Sequence, residues 1–260
     1  MNTDLGSQTP LGVARVIGDT FGLFFSRLPL FILLALLPTL VVTGLQFAFL
    51  PEFISDDPIL FPGTGVGFVA YSALSLFFFM IMVGVITLAA YDVRLGREAN
   101  VVSYVWRTIK AIPAIFILTI PFYIMIVAGL LLLIIPAFYL MARYWVFTPV
   151  ILIEGSGYRG LLRASELSRG YRWPIVAASI GIILVSLLLA YLVHVPLMLM
   201  LGLDLIAFPG TPNYTMTAIV QSFSSAIQYA LLSIFTALLY ARLREIKEGL
   251  GMEDLAEVFR

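Results

Sequence analysis

Apolar runs of about 20 residues recur along the chain, divided by short polar stretches, and a run of that length matches a hydrocarbon core about 30 Å thick at about 1.5 Å of rise per helical residue. Four runs are cleanly bounded, over 28–49, 66–91, 173–193 and 217–240. Between Ala111 and Ile153 lies a tract of 43 residues with a single charge, Arg143, too long for one crossing and right for two. The pattern therefore predicts spans at 111–130 and 133–153 with a tight turn near Gly129 to Leu133. Backbone amides inside lipid must find partners within their own segment, and barrel strands would instead show short alternating stretches, so the six spans are expected to be helices. The resulting fold class is all-α integral membrane: six transmembrane helices as three hairpins, in one domain over 1–248, followed by a short tail over 249–260.

Ahead of each odd-numbered span comes an amphipathic stretch, then a basic residue and a proline: Arg27 before Pro29, Lys110 before Pro113, Arg172 before Pro174. Proline suits a first helical turn, where its missing N–H is not needed. Val13, Ile17, Phe21 and Phe24 recur at helical spacing in the first stretch, and Val102, Val105, Trp106 and Ile109 in the second, with Asn100 as cap. The third, Tyr158 to Arg169, carries Arg159, Arg163 and Glu166 on one side and Leu161 and Leu162 on another. Each hairpin is thus expected to be preceded by an amphipathic interfacial helix on the cytoplasmic face, a unit written three times. In the tail, Met252, Leu255, Val258 and Phe259 would form one apolar side, able to dock on the chain itself or on a membrane-protein partner.

Composition agrees with this reading, since 61% of residues are hydrophobic and 12% charged, against about 25% charged in soluble domains. Fifteen basic residues balance fifteen acidic ones, which argues against nucleic acid as a partner. Cysteine is absent, so disulfides, thiolate nucleophiles and cysteine-ligated metals are excluded together. Basic residues follow the even spans (Arg94, Arg97, Arg107 and Lys110; Arg159, Arg163, Arg169 and Arg172; Arg242, Arg244 and Lys247). The stretches 50–64, with Glu52, Asp56 and Asp57, and 203–214, with Asp204, contain no Lys or Arg. Positive loops stay inside, so both termini are expected in the cytoplasm. The first span follows an acidic rather than basic start and is expected to be retained, not cleaved as a signal.

Arg143 stands about ten residues from either end of span four, near mid-depth, where a guanidinium costs at least about 2.5 kcal/mol on insertion scales. Span six offers compensation: Gln221, Ser222, Ser225, Gln228, Tyr229, Ser233, Thr236 and Tyr240 share one face at about 100° per residue. That face reads either as hydrogen-bonding glue between helices or as the wall of a hydrated or headgroup-binding cavity with Arg143 in it. Glu154 closes span four and is placed to pair with Arg159, Arg163 or Arg172 in an interfacial ion-pair network. His194 is the single histidine; no metal cluster, catalytic triad or cofactor motif is found, and Gly63-x-Gly65-x-Gly67 precedes a span rather than joining strand to helix.

The strings Arg143-Tyr144-Trp145, Pro149-Val150-Ile151-Leu152-Ile153-Glu154-Gly155 and Leu162-Arg163-Ala164-Ser165-Glu166-Leu167-Ser168-Arg169-Gly170-Tyr171-Arg172-Trp173 resemble the membrane-domain family named after glycerophosphoryl diester phosphodiesterase. The ending Leu239-Tyr240-Ala241-Arg242-Leu243-Arg244 is similar to that family's ending. These 260 residues show no counterpart of the soluble catalytic barrel fused to some relatives, nor of its histidines and metal-binding carboxylates. The resemblance therefore implies a stand-alone membrane domain of the bacterial inner membrane and not the enzymatic activity. The reading that follows is a non-catalytic protein that binds or passes a membrane lipid or another amphipathic molecule, with no cofactor and no metal. The alternative is a structural or assembly factor that docks a membrane partner.

Overall fold

The computed structural model describes residues 11–50, 65–132, 134–203 and 213–249, and among them it is helical without strands. The acidic loop residues Glu52, Asp56, Asp57 and Asp204, and the apolar side of the tail, lie outside the described residues. Helix α1 covers Val13–Ser26, α2 Leu28–Phe49, α3 Val66–Arg94, α4 Val101–Leu132 and α5 Ile134–Tyr144. After these come α6 Phe147–Glu154, a 3₁₀ turn Gly157–Arg159, α7 Gly160–Leu167, α8 Arg172–Met200 and α9 Tyr214–Glu248. Six crossings are long and apolar enough to span a membrane: α2, α3, α4, α5 together with α6, α8 and α9. The chain is a multi-pass membrane protein.

The three amphipathic stretches take three different forms. The first is a separate helix, α1, whose Val16, Thr20 and Phe24 are buried at i, i+4 and i+8. It turns at Arg27 into α2, with Pro29 in the first turn. The second stretch is not a separate interfacial helix, because it runs straight into the third crossing as α4, with Pro113 and Pro121 both inside the helix. Tyr104 and Thr108 are buried, Tyr104 donates to Asp92 at 2.7 Å, and Thr108 fills the space over Gly84. That packing carries the helix through Pro113, where one backbone hydrogen bond is lost. The third stretch is the short turn and α7.

The fourth crossing is broken. Its helix stops at Tyr144, turns through Trp145 and Val146, and restarts as α6. Pro149 is the reason: it has no N–H for the carbonyl four residues earlier, that of Trp145, and its ring crowds that carbonyl. Helix α7 docks against the break, where Ser168 Oγ donates to the Arg143 carbonyl at 2.8 Å. Gly160 makes the docking close, since a Cβ there would lie 2.4 Å from Ile151 Cγ1.

Helix α9 packs against α1, α2, α3, α6, α7 and α8 and forms the axis of the bundle. The core is concentrated at the end carrying Arg27, Arg94 and Arg242, called here the basic end. In α2 only Phe31 and Ala35 are buried, both in its first half, and in α3 every buried residue lies from Met80 onward. Toward the opposite end α2 and α3 loosen from α9.

The turn anticipated near Gly129 to Leu133 is the α4–α5 junction, and the two helices approach most closely at Gly129. A Cβ there would stand 2.9 Å from Ala137 Cα and 3.0 Å from Ala137 N, backbone atoms that cannot swing aside. Gly129→Val is expected to force the hairpin apart and to destabilise the protein by about 1–3 kcal/mol, read as a lower unfolding midpoint in mixed detergent–SDS micelles.

Candidate functional site

Where the helices loosen, a cavity of about 710 Å³ opens between α2, α3, α8 and α9. From α9 it is lined by Thr217, Gln221, Ser222, Ser225 and Tyr229, from α2 by Thr39, Thr43 and Gln46, from α3 by Ser75 and Phe79, and from α8 by His194. Among the described residues no Asp, Glu, Lys or Arg lines it. Leu76, Phe79 and Gln221 combine a place on this wall with exposure, so the cavity opens sideways onto the lipid-facing surface.

Polar contacts hold the wall together. Thr43 and Ser222 hydroxyls meet at 2.7 Å, Gln46 Nε2 donates to the Tyr214 hydroxyl at 2.9 Å, and the Phe79 and Tyr229 rings pack edge to face at 5.4 Å. His194 is buried, with Nδ1 3.2 Å from Ser224 Oγ. Behind it Gln228 lines a second, smaller cavity of about 130 Å³ that shares His194, Gln221 and Ser225 with the first.

Four buried hydroxyls among the described residues have no partner, Thr87 and Thr108 in the helix packing and two on the cavity wall. Elsewhere in these helices Thr20, Thr43, Thr119, Ser179 and Thr236 turn back onto the carbonyl four residues earlier, the usual way to satisfy a helical hydroxyl. Ser75 Oγ and Thr217 Oγ1 are buried on the cavity wall and have no partner. An orphaned buried hydroxyl costs about 1–3 kcal/mol, so each favours a polar group brought in from the cavity.

The face of α9 picked out by its spacing is divided among several surroundings. Gln221, Ser225 and Tyr229 line the cavity, Ser233 is buried between helices, and Thr236 accepts from Trp145 Nε1 at 3.1 Å. Arg143 is not part of this wall. Its Nε donates to Ser165 Oγ of α7 at 2.7 Å and its guanidinium lies 5.1 Å from the Tyr144 ring centre. The expected meeting of Arg143 with span six fails because the break after Tyr144 brings Trp145 to α9, while α5 packs on α4, α7 and α8. Thr39, Thr43 and Gln46, a polar stripe at i, i+4 and i+7 of span one, are the cavity residues that the reading of span six alone left out.

At the basic end, Glu154 joins three helices. It accepts from Arg163 Nε at 3.0 Å and from the Tyr240 hydroxyl at 2.9 Å, while Arg163 also reaches Glu248, which Arg244 holds at 2.7 Å. The hydrogen bond from Arg163 to Glu154, with that to Glu248, raises the affinity of the Arg163 guanidinium for its proton. Arg172 is not in this network and donates to the Tyr139 hydroxyl; Arg159 is exposed. Among the described residues no group of three or more His, Cys, Asp or Glu side chains could hold a metal ion.

Glu154→Ala leaves the buried Tyr240 hydroxyl without its acceptor and Arg163 with Glu248 in place of two strong partners, and is expected to cost about 1–3 kcal/mol, the range for hydrogen bonds to charged groups. Glu154→Gln keeps an acceptor for Tyr240 and is expected to lose less, with both variants compared by denaturation midpoint in mixed micelles. Compared with known proteins, the chain matches no protein-family model, no curated protein and no solved structure.

Proposed function

We propose that this protein is a non-catalytic membrane protein that binds a lipid or another amphipathic molecule, whose uncharged polar part enters the cavity between α2, α3 and α9. One observation carries the reading: a cavity of about 710 Å³ in a membrane bundle, walled by hydroxyls, amides and aromatic rings, with two buried hydroxyls lacking partners. Its volume falls within the roughly 300–1,000 Å³ usual for small-molecule sites. Among the described lining residues no Asp, Glu, Lys or Arg is present to pair with a charged group, which favours an uncharged one. Hydroxyl, ester or amide groups find donors and acceptors in Gln46, Gln221, Ser75 and Thr217. The apolar remainder of the ligand leaves through the side opening beside Leu76 and Phe79, in contact with acyl chains.

In this reading the basic end faces the cytoplasm, with both termini there, and the cavity belongs to the outer half of a bacterial inner membrane. The resemblance to the stand-alone membrane domain of the glycerophosphoryl diester phosphodiesterase family supports that location. Passage of the ligand across the bilayer is a further step of the same proposal, since the cavity opens toward one half of the bundle.

Ala218 lines the cavity with a small side chain, so Ala218→Phe fills it without removing a polar group. Monoolein, an uncharged amphiphile with two hydroxyls and an ester, is the probe. Wild-type protein in nanodiscs is expected to bind it saturably and Ala218→Phe at least tenfold more weakly, about 1.4 kcal/mol. Equal binding by both proteins, with both folded, would remove the cavity from the function.

A further inference from the structure

Five arginines of the basic end have acidic partners: Arg94 with Asp19, Arg97 with Asp92, Arg163 with Glu154 and Glu248, Arg242 with Glu245, Arg244 with Glu248. Among the remaining arginines, two are held by uncharged partners at one corner. Arg143 and Arg172 have no carboxylate within 4.0 Å among the described residues, although their side chains are held in place. Arg143 is fixed by Ser165 of α7 and, through its own carbonyl, by Ser168. Arg172 donates to the Tyr139 hydroxyl, its guanidinium lies 4.9 Å from the Tyr139 ring centre, and its Nε is buried without a partner.

These contacts bring both cations to one corner. Tyr139 and Arg143 are four residues apart on α5, hence on the same face one turn from each other, and Arg172 sits on Tyr139. Ser165 lies in α7, seven residues before Arg172, and a short segment, 168–171, joins α7 to α8. The corner gathers further positive charge, since Arg169 is exposed in that joining segment and Lys247 Nζ stands 5.5 Å from the Tyr171 ring. The start of α8 adds the positive end of a 29-residue helix dipole. Nearby carboxylates are engaged elsewhere: Glu154 and Glu248 on Arg163, and Glu166, 72% exposed, also turned to Arg163 at 4.0 Å. Two cations held at one corner by uncharged partners keep their charge uncompensated there, and an anion entering the corner compensates it.

The level of the corner says where that anion comes from. Trp173, exposed, packs its ring 6.2 Å from Tyr139, and an exposed tryptophan beside tyrosine at the end of a crossing marks the headgroup layer. Guanidinium groups match phosphate oxygens in pairs. We infer that Arg143 and Arg172, positioned by Ser165 and Tyr139, form a binding site for a phosphate ester anion in the headgroup layer at the basic end, distinct from the uncharged cavity. An anionic phospholipid supplies this group from the bilayer, and inorganic phosphate supplies the same chemistry from solution.

The test is native mass spectrometry and thermal unfolding of the full chain in detergent, titrated separately with dioctanoyl phosphatidylglycerol, dioctanoylglycerol and inorganic phosphate. Wild-type protein is expected to show saturable binding and a raised melting temperature with phosphatidylglycerol and none with dioctanoylglycerol. Arg143→Gln and Arg172→Gln are each expected to weaken binding tenfold or more, and Arg143→Lys to an intermediate degree. Arg159→Gln, which removes one charge from the same end, leaves it unchanged. Without ligand, each glutamine variant keeps a side-chain amide able to reach Ser165 or Tyr139 and is expected to melt close to wild type. Protection by inorganic phosphate at comparable concentration, lost in the same variants, assigns the site to free phosphate. Equal binding of phosphatidylglycerol and dioctanoylglycerol, equal loss in Arg159→Gln, or no loss in the Arg143 and Arg172 variants overturns the proposal. Because Ala218→Phe is remote from the corner, phosphatidylglycerol binding by that variant separates the fate of this site from that of the cavity.

Discussion

Inside hydrocarbon a polar group has no water to turn to, and this constraint places α9 at the centre of the bundle. Its most apolar stretch has a mean hydropathy of 1.5, against 2.4 to 2.6 for α2, α3, α4 and α8, and 61% of that stretch is buried where α2 has 11%. A helix carrying Gln221, Ser225, Ser233 and Thr236 is stable in a membrane when neighbours cover those groups. Helices α2, α4 and α8, more apolar, tolerate lipid on most of their surface and take the periphery, while α3 and the polar fourth crossing, each half buried, lie between. The packing of α9 against α1, α2, α3, α6, α7 and α8 follows from that division.

Along its axis α9 meets two kinds of surroundings. Toward the basic end its residues from Ala230 to Leu243 are almost all buried against large side chains, among them Phe235 and Tyr240. There the Glu154, Arg163, Arg244 and Glu248 network closes the bundle with charge on charge. Toward the other end small residues, Ala218, Ser222 and Ser225, face α2 and α3 across the cavity. Among the described residues, the ion pairs thus gather at one end and the neutral polar groups of the cavity wall at the other. That separation is the basis for treating the cavity and the arginine corner as distinct sites with distinct ligands.

The broken fourth crossing links these features. Without Pro149 the segment from Ile134 to Glu154 would continue as one helix, and Arg143 would remain a lone cation within it. The interruption frees backbone carbonyls, and Ser168, the residue that follows α7, takes up that of Arg143. Helix α7 is thereby tied to the crossing instead of lying loose at the interface. The same docking delivers Ser165 to Arg143 and sets the start of α8, with Arg172, beside Tyr139. One proline thus turns an isolated intramembrane charge into part of a corner made by three helices.

Six crossings and the polarity of span six are written locally, because hydropathy and helical period act over about 20 residues whatever the neighbours do, whereas α4, α8 and α9 run well beyond the apolar stretches that mark them. Gln221, Ser225 and Tyr229 could be picked out as one face for the same reason. Which helix that face meets is another matter, since it depends on how segments more than a hundred residues apart rotate against each other. Only tertiary packing set Thr39, Thr43 and Gln46 opposite α9, joined the second amphipathic stretch to α4, and turned Arg143 to Ser165 rather than to span six. The physical reason is that a helix carries its own hydropathy, but the partner of each polar group is chosen by whichever neighbour can satisfy it when the bundle closes.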